Sequence, residues 1–254
     1  MADETLPGGP PPAVGTVVSA PPADAAVMPL LDHLNELRSR VFKAILAVLL
    51  ASVVGWFSAT TVRNYLLDQL PGHKAQILGP GDAFFIQIKI SLTIGVILAM
   101  PVLLYQLWAF IAPGLTPAER KTIRPWIPLA LVLFAIGVVI AFLVLPFAIA
   151  FLLGFTDSQL VNGIAAGPNF DFVTTLFLAF GLIMEFPIIL YGLALVGIIS
   201  SSWMSKNRRM LWLGIAAFAF IVTPGGDLVS PSVLAVTMIV LTELTRLAIK
   251  RSGR

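Results

Sequence analysis

The chain has 254 residues, of which 58% are hydrophobic and 11% are charged, and its mean hydropathy is +0.95. A composition this apolar excludes an ordinary soluble domain and is typical of a polytopic membrane protein. The formal net charge of +3 is too small to indicate a nucleic-acid-binding protein, and the absence of cysteine from the sequence excludes disulfides and thiolate metal sites.

The N-terminal part of the chain changes character near residue 28. Residues 1–27 are rich in proline, alanine and glycine without periodicity, so we predict a disordered tail there, followed by a membrane domain over 28–254. Leu30, Leu34 and Leu37 then recur on one helical face, with polar residues on the other. This pattern predicts a short amphipathic helix that lies on the membrane surface before the chain turns inward.

Six apolar stretches follow, and together they predict an all-α fold with six transmembrane helices. They are 41–62, 83–110, 123–154, 172–197, 210–222 and 230–243. Asp82 precedes the second stretch and Ser230 begins the last one, and both are candidate N-caps. The last two stretches are short, since 210–222 makes only about 20 Å of helix against a hydrocarbon core of roughly 30 Å. Such spans require local thinning of the bilayer or shielding by protein, and a re-entrant hairpin is the alternative.

The lysine and arginine residues are unevenly distributed between the two sides of these spans. With six spans, all but three of the 16 lie on the side of the two termini, and the three are Arg63, Lys74 and Lys89. Because short cytoplasmic loops carry the excess of positive charge, both termini are predicted to be cytoplasmic.

Glu185 is the only ionisable residue in the stretch 172–197 and falls near its middle. An ionised carboxylate facing lipid at that depth costs roughly 2.5–3.5 kcal/mol, so Glu185 should face the bundle interior, water or a partner. Pro187 lacks an N–H group and should kink the helix beside it. Two interpretations stay open, a carboxylate hydrogen-bonded to a neighbouring helix or a polar site that a substrate or partner uses.

Two further carboxylates lie on the predicted cytoplasmic side. Glu36 is on the polar face of the first helix, and Glu119 follows Thr116 and Pro117 in a sequence typical of a capping box. Either carboxylate could take a bidentate hydrogen bond from a guanidinium group. The alternatives are an i,i+4 pair with Arg40 for Glu36 and the capping box itself for Glu119.

The sequence lacks the motifs of the common catalytic sites. It contains no GxxxxGK[ST] motif for a nucleotide phosphate, and His33 and His73 are its only histidines. Neither an HExxH motif nor a Ser/His/Asp set can be assembled from it. We therefore predict a protein that is not an enzyme and uses no metal or cofactor. One function of another class remains as an alternative, a proton-coupled transporter of small solutes that uses Glu185.

Four segments together resemble a known family. They are HLNELRSR at 33–40, PVLLYQLWAFIAPGL at 101–115, ERK at 119–121 and AFG with EFP at 179–187. Their sequence, order and spacing are similar to those of TatC, the multi-spanning receptor subunit of the twin-arginine protein translocase. The resemblance extends from about residue 28 to residue 246.

The resemblance implies a curved wall of six spans with a concave face in the bacterial cytoplasmic membrane. It implies binding of the twin-arginine signal peptides of folded cargo, recruitment of single-span partners of the TatA and TatB type, self-association within a larger complex, and export driven by the proton-motive force. No nucleic-acid partner is implied. By their positions in the motifs, Glu36, Arg38, Phe110 and Glu119 would bind the signal peptide, and Glu185 would lie on the concave face.

The resemblance also points to the last turn on the periplasmic side. Thr223 and Asp227 would lie near the docking site of a partner helix there. Pro231 stands where relatives commonly have glutamine. Whether the partner contact near Pro231 follows the family pattern is therefore open.

Overall fold

The computed structural model describes residues 24–70, 72, 74–155 and 163–251. Within these ranges the chain is helical and contains no β-strand, which confirms the all-α fold class. The helices are α1 (Asp24–Asp68), α2 (Asp82–Ile111), α3 (Pro117–Ile123), α4 (Trp126–Leu153), α5 (Ala166–Ile183), α6 (Phe186–Leu195), α7 (Ser201–Lys206), α8 (Arg208–Val222) and α9 (Val229–Arg251), with a 3-10 turn at Ala112–Gly114. Contacts group the chain into two units, residues 1–38 and 39–254.

Five segments of the described ranges are long and apolar enough to cross a membrane. They are Asp32–Asp68, Asp82–Gly114, Glu119–Leu153, Ala166–Leu195 and Val229–Arg251. Helix α8 has 15 residues, or about 22 Å of helix, which is less than the roughly 30 Å of a hydrocarbon core. The sixth span therefore stays a prediction, with α8 as its helix.

The predicted turn between a surface helix and the first span is wrong. Helix α1 runs from Asp24 to Asp68 as a single element, because residues 30–54 contain no glycine or proline that would end it. Residues 1–23 of the predicted tail lie outside the described residues, and α1 begins within the last four residues of that tail. The tail itself stays a prediction.

In the second unit, α5 packs against α2 and α4, and α9 packs against α4, α6, α7 and α8. Glycines set the separation of α4 and α5. A Cβ atom on Gly181 would lie 2.7 Å from the ring of Phe134, and one on Gly137 would meet the carbonyl oxygen of Phe180. Both phenylalanines are buried. Small residues at such crossings let membrane helices approach closely, so this crossing depends on the two glycines.

Helix α1 crosses α2 through a second set of small residues. A Cβ atom on Gly95 would meet Ser52, and one on Gly55 would meet the main-chain carbonyl of Ser91. Each of these serine hydroxyls donates to a carbonyl oxygen four residues earlier in its own helix, so neither needs a partner across the crossing. Most other apolar side chains of α1 are exposed, as Phe57 is to 80%. Lipid is the expected neighbour of that surface.

The loops that precede α2 and α5 are joined through main-chain atoms. The N–H group of Gln76 donates to the carbonyl of Ile164 at 2.7 Å, and that of Ala166 donates to the carbonyl of Gln76 at 2.7 Å. The result is an isolated parallel bridge. An ion pair between Lys89 of α2 and Asp171 of α5 connects the same two helices.

The predicted N-cap of α2 is wrong by one residue. Asp82 is itself the first helical residue, and Gly81 precedes it without a capping side chain. The Asp82 carboxylate instead accepts from the N–H groups of Leu78 at 3.0 Å and Gly79 at 2.8 Å, which closes the loop before the helix. An acidic group in the first turn also interacts favourably with the helix dipole.

Candidate functional site

Glu36 lies on α1 in the first unit. Its Oε2 atom is 3.8 Å from Nδ1 of His33, three residues earlier on the same helical face. Arg38 is exposed two residues further along. An ion pair of this kind near the surface contributes only about 0–1 kcal/mol to stability.

The capping box predicted at Glu119 is present. Glu119 Oε2 accepts from the N–H group of Thr116 at 3.0 Å and from its hydroxyl at 2.9 Å, while the N–H group of Glu119 donates to the Thr116 hydroxyl at 3.4 Å. Pro117 occupies the first turn of α3. Arg120 Nη2 donates to the carbonyl of Ala112 at 2.7 Å and ties α3 to the preceding 3-10 turn. The box therefore holds the carboxylate in one orientation at the start of α3.

Phe110 belongs to the same connection between α2 and α4. It is half-buried in the last turn of α2, directly before the 3-10 turn Ala112–Gly114. Two of the predicted recognition residues, Phe110 and Glu119, thus share one connection of the second unit, whereas Glu36 and Arg38 belong to the first unit.

The predicted kink at Glu185 is confirmed as a break between two helices. Helix α5 ends at Ile183, Met184 and Glu185 form a turn, and α6 begins at Phe186 with Pro187 in its first turn. Pro187 has no N–H group, so the helical hydrogen-bond ladder cannot continue through this point. The break places Glu185 between the two helical segments rather than within one of them.

Glu185 is only 9% exposed. Its Oε1 atom is buried and has no hydrogen-bond partner within the described ranges. A buried polar atom left without a partner costs about 1–3 kcal/mol, so natural proteins seldom retain one without a reason. Glu185 Oε1 is therefore a candidate contact for a polar group from outside the chain.

A further polar cluster lies where α8 leads into α9, and it consists of the buried residues Thr223, Asp227 and Ser230. The Thr223 hydroxyl donates to the Ala219 carbonyl. Asp227 Oδ2 accepts from the N–H group of Ser230 at 2.6 Å. The predicted capping role of Ser230 is wrong, because α9 begins one residue earlier, at Val229, and the charged carboxylate is the stronger acceptor for the first turn.

This α8–α9 cluster keeps two unpaired polar atoms. Asp227 Oδ1 and Ser230 Oγ are buried without a partner among the residues that the structure describes. The turn beside them contains Gly225 and Gly226 with φ angles of +95° and +69°, which glycine adopts without strain. A Cβ atom on Gly225 would also lie 2.7 Å from the ring of Phe172. The turn is thus tightly packed around polar groups for which the described part of the chain offers no partner.

Sequence reasoning missed a charged network centred on Glu243. Its Oε1 atom accepts from Arg208 Nε at 2.7 Å and from Trp212 Nε1 at 3.2 Å, and its Oε2 atom accepts from Arg246 Nε at 2.9 Å. The Arg208 guanidinium also lies 4.5 Å from the centroid of the Trp212 ring, and Arg246 Nη1 donates to Ser205 Oγ at 2.9 Å. The network joins α7, α8 and α9. Only the i,i+3 spacing of Glu243 and Arg246 is visible locally in the sequence.

We expect Glu243→Ala to lower the free energy of unfolding by about 2 kcal/mol, because Arg208 and Arg246 lose their charged hydrogen-bond acceptor. Unfolding of the purified protein in detergent measures the effect. Asp171→Ala is the matched control, since it removes an exposed ion pair with Lys89 and should cost less than about 1 kcal/mol. Equal losses in the two variants would show that the Glu243 network contributes no more than a surface pair.

The family model described as "Sec-independent protein translocase protein (TatC)" matches residues 32–236. The chain belongs to the TatC family. Relatives named TatC from Carboxydothermus hydrogenoformans and Aquifex aeolicus are each 34% identical, over 221 and 225 residues. The two alignments cover 86% of this chain and 91% and 93% of those relatives. TatCy of Bacillus subtilis is 31% identical over 231 residues, covering 89% of this chain and 91% of the relative.

The chain is also similar to solved structures of the same family. One entitled "Crystal Structure of Twin Arginine Translocase Receptor- TatC" is 34% identical, covers 87% of this chain and all of the other, and superposes with a TM-score of 0.72. A second, in DDM, is 33% identical with a TM-score of 0.71. These matches confirm the resemblance seen in the sequence motifs. The protein is a multi-pass membrane subunit of the twin-arginine translocase.

The TatC family match includes Glu36, Glu119, Glu185 and Asp227 but ends before Glu243. Of the network that sequence reasoning missed, Glu243 and Arg246 lie beyond the matched range, whereas Ser205, Arg208 and Trp212 lie within it.

Proposed function

We propose that this TatC subunit binds the twin-arginine signal peptides of folded cargo through Glu36 and Glu119, assisted by Arg38 and Phe110. The capping box is the observation that carries the proposal, because it fixes the Glu119 carboxylate before any peptide arrives. A preorganised acceptor loses little side-chain entropy when it binds. A guanidinium group matches a carboxylate in planar, bidentate geometry, so two carboxylates suit a pair of arginines.

The proposed orientation puts these carboxylates on the cytoplasmic side of the bacterial inner membrane. The bias of lysine and arginine toward the side of the two termini supports it. In this topology α8 is the short fifth of six spans, and the bilayer thins locally or neighbouring protein shields its ends.

The proposal includes contacts with single-span partners of the TatA and TatB type in a larger complex that uses the proton-motive force. Three buried polar atoms that have no hydrogen-bond partner among the described residues support such contacts, namely Oε1 of Glu185, Oδ1 of Asp227 and Oγ of Ser230. Each is costly in the isolated chain and would regain a hydrogen bond against a polar group from another helix. Thr223 belongs to the same cluster as Asp227.

Complementation of a translocase-deficient bacterial strain tests the proposal. We expect this chain, expressed with its single-span partners, to restore export of a folded reporter that carries a twin-arginine signal peptide. A matched reporter with two lysines in place of the arginines should stay in the cytoplasm, because lysine cannot make the bidentate contact. Correct insertion of the protein without export of the arginine reporter would contradict the proposed function.

A further inference from the structure

A groove of about 550 Å³ lies on the outside of the second unit, along α8. Its floor includes the buried side chains of Ile215 and Met238, and its rim includes the exposed side chains of Trp203, Met210 and Phe218. The volume falls within the roughly 300–1,000 Å³ of ordinary ligand clefts. The exposed rim makes the groove accessible from the side, where a membrane protein meets lipid.

The groove has the length and polarity of half a bilayer. From Asn207, just before α8, to Phe218 the lining extends over about 16 Å of helix, close to half of a roughly 30 Å hydrocarbon core. The polar lining side chains, those of Trp203 and Asn207, lie at one end, and the remaining lining is apolar. An occupant with one polar end and an apolar body one leaflet long fits this lining, whereas a helix crossing the whole membrane would extend well beyond it.

The polar end of the groove is also strongly basic. Six cationic residues lie in the segments 200–212 and 240–251, and Glu243 is the one carboxylate there. The cations are Lys206, Arg208, Arg209, Arg246, Lys250 and Arg251. The Glu243 carboxylate forms ion pairs with Arg208 and Arg246. Lys206 is exposed, and it follows Trp203 by three residues, so helical spacing places it beside the mouth of the groove.

We propose that this groove binds one anionic phospholipid, with an acyl chain along α8 and the phosphate at Lys206. The apolar lining gives the acyl chain an environment like the interior of the bilayer. The excess of cations is complementary to an anionic head group. Basic pockets between membrane helices on the cytoplasmic side commonly bind such head groups. The site is separate from the carboxylates proposed to bind the signal peptide.

Gly214 allows the groove to be filled without distorting the helix. It lines the groove, and a Cβ atom added to it meets no heavy atom within 4 Å. The leucine side chain of Gly214→Leu would therefore extend into the groove and fill part of it. Gly192→Leu is the matched control, because Gly192 of α6 is equally open and does not line the groove. Lys206→Gln removes the head-group cation, with Lys74→Gln in a distant loop as its control.

The test titrates delipidated full-length protein in detergent with phosphatidylglycerol or phosphatidylcholine and counts bound lipids by native mass spectrometry. We expect one phosphatidylglycerol to bind at least fivefold more tightly than phosphatidylcholine. Lys206→Gln should weaken phosphatidylglycerol binding about fivefold, as expected for one surface cation. Gly214→Leu should weaken binding of both lipids at least tenfold. The two control variants should bind like the unmodified chain, and circular dichroism and gel filtration should show that all four variants fold.

Two results would overturn the lipid site. Equal affinity for the two lipids would show that the cations do not recognise the head group. Unchanged phosphatidylglycerol binding in Gly214→Leu, with loss of a co-purifying single-span partner, would show that the groove takes a protein helix. Loss of lipid binding with normal cargo export would leave the proposed function intact, so the two proposals fail separately.

Discussion

Glu119→Gln should weaken binding of a twin-arginine signal peptide about 10- to 100-fold while leaving the fold unchanged. Glutamine is as suitable as glutamate at the third position of a capping box, so its side-chain oxygen can still accept from Thr116. It cannot form a charge-assisted, bidentate pair with a guanidinium group, and such hydrogen bonds contribute about 1.5–3 kcal/mol each. Photo-crosslinking of a twin-arginine precursor to positions beside residue 119 measures the loss, and Glu36→Gln should add to it.

Thr116→Ala is the complementary variant, because it opens the capping box and keeps the carboxylate. We expect it to cost about 1 kcal/mol of stability and to reduce crosslinking less than Glu119→Gln does. The reverse order, with normal crosslinking in Glu119→Gln and a large loss in Thr116→Ala, would show that Glu119 acts only as a capping residue.

The second large effect is expected where α4 crosses α5. A Cβ atom on Gly137 would meet the main-chain carbonyl of Phe180 and would lie 2.8 Å from Cγ of Met184. A carbonyl cannot move aside without shifting α5, so Gly137→Ala should destabilise the protein by about 1–3 kcal/mol, the usual cost of overpacking. Gly192→Ala should instead be neutral or stabilising by up to about 1 kcal/mol, because that glycine has open space and alanine favours the helix.

Thermal unfolding of the two alanine variants in the same detergent measures this difference. The unmodified chain should unfold between them or together with Gly192→Ala. If Gly137→Ala unfolds at the temperature of the unmodified chain, the two helices are further apart than the structure indicates.

The features that could be predicted from sequence are those set by neighbours along the chain. The break after Glu185 follows from Pro187, and the start of α3 follows from the spacing of Thr116 and Glu119. Each depends on residues within one or two helical turns. The apolar stretches likewise indicate membrane helices by length alone.

The features that sequence reasoning missed depend on helices meeting in space. Arg208 and Glu243 are 35 residues apart, and Lys89 and Asp171 are 82 apart, so no local pattern pairs them. The continuity of α1 was missed for another reason. An amphipathic stretch before an apolar one is typical of a surface helix that turns into a span, but the sequence has no residue there that ends the helix.

The bridge between the loops before α2 and α5 uses main-chain atoms only, so its hydrogen bonds do not involve any side chain. Both of its hydrogen bonds join backbone groups of Gln76 to those of Ile164 and Ala166. Substitutions other than proline at Gln76 and Ile164 therefore leave both hydrogen bonds possible, whereas Ala166 is also buried in the core, where a larger side chain would not fit. Proline at residue 76 or 166 would remove an N–H donor and with it one of the two hydrogen bonds of the bridge.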